Sequence, residues 1–146
     1  MKWWQLYFAI KDTWELRKDE RFKDIPYEVF LLATFCLEKD FYTYPITRRF
    51  KEWGRAVAKV LRFPSDKNAN RVKGSLETFY ERIKPLLDSK SFGNTPHNID
   101  LLHSFLIEKV GDIEKVYNLE LWEVGEIIHA TYQIVKLRKS IKENKR

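Results

Sequence analysis

Between Arg48 and Lys73 the chain carries nine basic residues: Arg48, Arg49, Lys51, Arg55, Lys59, Arg62, Lys67, Arg71 and Lys73. Only Glu52 and Asp66 oppose them, so the segment holds about +7 by count. On a helix at 100° per residue, Arg55, Lys59 and Arg62 lie within about 40° of Arg48, and Lys51 within about 60°. They form a cationic ridge about 20 Å long. Such a ridge can neutralise several phosphates of a nucleic-acid backbone at once. Arg49 lies toward its flank, and Glu52 intrudes on it. Phe41, Tyr42 and Tyr44 precede the ridge directly. Exposed rings beside cations can stack unpaired bases, so Tyr42 and Tyr44 join the basic residues as candidate nucleic-acid contacts.

A second pair of motifs has metal-ligand character. Asp100-x-x-His103 and Glu126-x-x-His129 each set a carboxylate and an imidazole one helical turn apart. Helical bundles hold di-iron and di-manganese centres this way, with single carboxylates from two further helices. Glu28, Glu77 and Glu81 are available for that part, and none is compelled. His103 leans toward the apolar side of its helix. Glu126 and His129 lie opposite Val124, Ile128 and Val135. A shared centre would need the last helix buried on two sides, so a metal protein ranks third. His97 has no evident partner. There is no Gly-rich phosphate loop, Cys-x-x-Cys, His-Glu-x-x-His or Gly-x-Ser-x-Gly, and no cofactor is expected.

The last eleven residues, 136–146, add six basic groups against Glu143. The formal net charge is +6, so the remainder of the chain is acidic. A field polarised in this way steers polyanions and confers affinity without sequence specificity. Cys36 is the single cysteine and falls in an apolar run, where it is expected to be a buried thiol with no disulfide. Few sulfur residues and many Lys and Glu give a thermophile-like composition. No stretch approaches the roughly twenty apolar residues of a membrane helix, and the expected location is cytoplasmic.

The elements that must position these groups are helical. The length of 146 residues suits one domain, 1–146, with 136–146 as a basic tail expected to fray. Trp3, Tyr7, Ile10 and Trp14 stripe a helix over 2–18, with Trp4 and Phe8 widening its apolar face toward a second neighbour. Asp24-Ile25-Pro26 starts a helix over 26–38 that is apolar all round and therefore central. The basic helix spans 45–62, its apolar side formed by Ile46, Phe50, Trp53, Val57, Val60 and Leu61. Further helices are expected over 66–88, with a kink at Pro85, over 96–110, stopped by Gly111, and over 121–142. A short turn over 112–117 separates the last two. The apolar side of the last helix reads Val124, Ile128, Thr131, Val135. A buried helix, a turn and a basic helix resemble a helix-turn-helix pair, but the ridge has no Asn or Gln to read bases.

The fold expected is therefore an all-α bundle of five to six helices. The expected function is a non-enzymatic nucleic-acid-binding module, alone or within a nucleoprotein assembly. The alternative is a protein–protein assembly factor that uses an aromatic surface.

Overall fold

The computed structural model describes the backbone of residues 1–87 and 96–144, and the side chains of 1–82 and 99–144. The expected kink at Pro85 and the histidine His97 lie outside the described side chains. The helices are α1 (Trp3–Leu16), α2 (Tyr27–Ala33), α3 (Ile46–Arg62), α4 (Asp66–Leu87), α5 (Pro96–Val110), α6 (Ile113–Tyr117) and α7 (Leu121–Asn144). Two 3₁₀ turns, Thr34–Cys36 and Phe41–Thr43, lie between α2 and α3. The chain is an all-α bundle. The described residues hold one more helix than expected because Asp112 accepts from the backbone N–H groups of Glu114 (2.9 Å) and Lys115 (3.4 Å), capping α6. Gly111 adopts φ +83° and ends α5, a conformation that glycine takes without strain.

α1 is the most enclosed helix. Trp3, Trp4, Leu6, Tyr7, Phe8 and Ala9 are buried around its whole circumference, because α2, α5 and α6 pack on it from different sides. Trp14, on the same stripe, is 56% exposed. Lys11 reaches Asp100 at 3.4 Å, and α5 begins only one turn beyond, at Pro96, so the cover over α1 runs out there.

α2 is shorter than expected. Its α-helical part stops at Ala33, where the Thr34 hydroxyl takes the Leu31 carbonyl at 2.6 Å. A hydroxyl that competes for a helix carbonyl helps to convert the last turn to 3₁₀. Twelve residues then separate α2 from α3, far from the tight turn of a helix-turn-helix pair. Cys36, in this stretch, is half-buried rather than buried.

α4 and α7 run parallel and form the most extensive helix pair. Gly74–Thr78 lies level with Glu120–Trp122, and Phe79 and Arg82 level with Gly125 and Glu126. A Cβ at Gly125 would stand 3.1 Å from the Arg82 Cβ, so the absent side chain permits this approach. Val124 and Ile128 are buried at the seam, whereas Val135 is exposed. No helix among the described residues is long and apolar enough to cross a membrane.

Candidate nucleic-acid interface

Orientation of α3 about its own axis decides which of its cations reach solvent. Trp53, Ala56 and Val57 are buried, Phe50 and Val60 half-buried, while Ile46 and Leu61 at the two ends are exposed. A polar lock completes this inner side. Asp12 of α1, 2% exposed, accepts from Arg49 Nε (3.0 Å, Oδ2), Arg49 Nη2 (3.1 Å, Oδ1) and Trp53 Nε1 (3.0 Å, Oδ2). Arg49 also donates to the Tyr44 carbonyl at 3.1 Å and lies 5.0 Å from the centre of the Phe8 ring. The fork-on-carboxylate geometry fixes direction as well as distance. Arg49 therefore belongs to the interior, which corrects its assignment to the nucleic-acid surface.

The lock turns the remaining cations outward. Arg48, Lys51, Arg55, Lys59 and Arg62 are all exposed. Lys59 and Arg62 occupy the last turn, where positive charge complements the helix dipole. α4 adds exposed Lys67, Arg71 and Lys73. The two helices meet at the Thr34–Cys36 turn. Arg55 donates to the Cys36 carbonyl at 3.0 Å, and the Arg71 guanidinium lies 4.7 Å from the Phe35 ring centre. Among the described residues, only Arg49 and Arg55 of the nine cations have a carboxylate partner, Arg55 pairing with Glu52 at 3.0 Å.

The aromatic connector points the other way. Phe41 is fully buried, against Trp4, Phe8 and Trp53. Tyr44 is buried, donates to Asp40 at 2.9 Å and has the Arg48 guanidinium 3.7 Å from its ring centre. Tyr42 stacks on Tyr117 at 4.7 Å, and its hydroxyl accepts from Asn118 at 3.3 Å. Tyr44 is therefore a packing element rather than a stacking platform for bases, and Tyr42 is half-buried with one ring face taken by Tyr117. An exposed ring at the end of the ridge is Phe63, 69% accessible, immediately after Arg62 and before Pro64. It lies off the apolar stripe, and that offset was its only signal in the sequence.

A cleft of about 650 Å³ opens beside the ridge, between the end of α1 with the loop after it and α3. Phe22 and Phe50 supply apolar lining, and Lys51 and Arg55 border both cleft and ridge. Sequence reasoning did not find it, because residues 15–22 and 47–55 meet only in the folded chain.

The two carboxylate–histidine motifs have separate surroundings. His103 is 6% exposed and stacks on Tyr7 (4.2 Å) and Tyr117 (4.8 Å). Its Nδ1 accepts from Trp3 Nε1 at 3.0 Å, which puts the proton of the neutral ring on Nε2. Burial lowers its pKa to about 4, the nearby Lys11 charge adds to this, and Asp100 opposes it. Asp100 accepts from the Tyr7 hydroxyl at 2.6 Å. Burial is the first cause, and this carboxylate the second, that push the Tyr7 pKa upward. Glu126 instead pairs with Arg82 at 2.8 Å, and His129 is half-buried on α7. Among the described residues no group of three or more His, Cys, Asp or Glu side chains is placed to hold a metal.

No protein-family model matches this chain, and no curated protein or solved structure shows significant similarity to it. The functional reading rests on the residues themselves.

Proposed function

We propose that this chain is a nucleic-acid-binding module that holds the phosphate backbone on the outer faces of α3 and α4. The observation that carries this reading is the set of exposed cations on these two helices, Arg48, Lys51, Lys59, Arg62, Lys67, Arg71 and Lys73, without a carboxylate partner among the described residues. An exposed helix face with no binding role usually mixes signs, because i,i+4 pairs stabilise it and like charges repel. Here the repulsion is left for a ligand to relieve. Phosphates relieve it by releasing counterions, and affinity then depends steeply on salt. Phe63 adds an exposed ring at the end of the ridge, where an unpaired base can stack.

The test is a titration of the protein with labelled single- and double-stranded oligonucleotides over a salt series. Log affinity should fall linearly with log salt, by roughly 0.7 to 0.9 per phosphate neutralised. Changing Lys51, Lys59 and Arg62 together to Glu should abolish binding while leaving helicity and melting temperature intact. Those three side chains carry no hydrogen bond or ion pair among the described residues. Binding that is indifferent to salt, or that survives the triple change, refutes the reading.

A second reading, protein–protein assembly, draws support from a different surface than the aromatic one expected. Ile134, Leu137 and Ile141 are exposed on the far half of α7, at i, i+3 and i+7. They lie about 150° around the helix from the seam residues Leu121, Val124 and Ile128. This is the anchor spacing of a helix that docks in an apolar groove. Of the cations on this half of α7, Arg138 lies nearest the stripe, about 70° around the helix, while Lys139 lies almost opposite it. Leu137→Glu should then leave the melting temperature of the isolated protein unchanged, as measured by circular dichroism. A marked fall would mean that the stripe packs within the fold.

A further inference from the structure

We propose that the cleft between the end of α1 and α3 takes one unpaired nucleobase from a single strand whose phosphates lie on the α3 ridge. This inference rests on the nucleic-acid reading and specifies its ligand.

The argument begins with volume. About 650 Å³ falls within the range of roughly 300–1,000 Å³ typical of small-ligand sites, and it is ample for one base. The lining chemistry suits a flat, neutral, hydrogen-bonding group. Phe22 and Phe50 provide apolar surface, and the Arg21 guanidinium already stands 5.5 Å from the Phe22 ring centre, as it would over a base.

The charges at the mouth separate phosphate from base. On the α1 side the signs alternate: Lys18 pairs with Glu15 at 3.2 Å, and Arg21 with Asp19 at 2.8 Å. Those carboxylates repel a phosphate, but they accept hydrogen bonds from the amino and imino groups of a base edge. On the α3 side, Lys51 has no ion-pair or hydrogen-bond partner among the described residues. A phosphate therefore sits at Lys51, on the ridge, and the attached base turns across α3 into the cleft. The ridge and the cleft share Lys51 and Arg55, so a strand following one passes over the other.

Gly54 stands at the crossing. A Cβ there would meet only the Phe22 Cζ, at 3.6 Å, so α3 passes the cleft with no side chain over it at that position. A base inside a duplex stack cannot reach such a site without leaving the stack, so the cleft selects unpaired strands.

The experiment titrates the full chain with a short thymidine oligonucleotide carrying one central 2-aminopurine, the same strand with an abasic site there, and a duplex of equal length. Gly54→Leu places a side chain over the cleft and favours helix over glycine, while Thr47→Trp fills it from exposed surface. The expected result is a change in 2-aminopurine fluorescence on binding and roughly tenfold weaker binding of the abasic strand. Each variant should lose a similar factor on the single strand and nothing on the duplex. If wild type binds but the abasic strand and both variants bind as tightly, with no fluorescence change, the cleft inference is overturned and the ridge reading stands. If wild type binds none of the three oligonucleotides, the ridge reading falls, and the inference with it.

Discussion

Arg48 and Arg49 are adjacent in sequence and belong to two different regions of this protein. Arg49 faces inward, where a buried carboxylate, an indole and a backbone carbonyl surround it. Arg48 faces outward at the head of a ridge whose other members are mostly unpaired. The inner region contains much of the chemistry that looks catalytic: Asp12 with Arg49 and Trp53, and His103 with Trp3, Tyr7 and Asp100. Most of these groups are engaged by their neighbours, as burial of polar groups demands; the exception among the described residues is His103 Nε2, which is buried without a hydrogen-bond partner. The outer region holds simpler chemistry but leaves it open. Available valence, more than residue type, separates a site from a scaffold in this molecule.

The largest expected effect lies inside. Arg49→Ala leaves the Asp12 carboxylate buried without its ion partner, which should cost about 3–5 kcal/mol in denaturant unfolding. Nucleic-acid affinity of the folded fraction should change little. A stable Arg49→Ala variant that loses binding would break the comparison, because Arg49 would then belong to the outer region.

The next effect uses rings from the two regions. Tyr44→Ala should lower stability by about 3 kcal/mol, as truncation of buried aromatics does. Phe63→Ala should leave the melting temperature nearly unchanged and weaken single-strand binding by roughly 1–3 kcal/mol. Loss of stability in both variants would place Phe63 with the scaffold.

A pH titration sharpens the inner half. His103 is neutral in the fold, with its pKa held near 4 against about 6.5 when unfolded. Between those values the unfolded chain binds the extra proton, so stability must fall as pH drops from about 6.5 to 4 and level off below. The loss should be on the order of 3 kcal/mol and should largely vanish in His103→Gln. Melting curves at fixed ionic strength read it directly. A flat profile across that window would mean that His103 is not buried neutral.

Periodicity made most of the fold legible. The span of α3, expected over 45–62 and found at Ile46–Arg62, the stop at Gly111 and the parts of α4, α5 and α7 followed from apolar spacing, Pro and Gly. Capping detail did not. Thr34 shortened α2 through one side-chain hydrogen bond and Asp112 capped α6 through two, and such bonds leave no trace in a hydrophobic pattern. Burial failed at the ends of elements: Trp14, Ile46, Leu61 and Val135 continue apolar stripes past the point where a neighbouring helix covers them.

The sequence by itself determined that the chain is helical, that its cations concentrate between residues 48 and 73, and that most of them share one helix face. Those are properties of residue type and helical period, both local. Which cations stay free, and which rings stay exposed, was decided only by tertiary structure. Asp12 lies 37 residues from Arg49, and the Tyr117 that covers Tyr42 is likewise far along the chain. A side chain is neutralised or covered by whatever the fold brings beside it, and that neighbour is set by packing across helices, not by position along one.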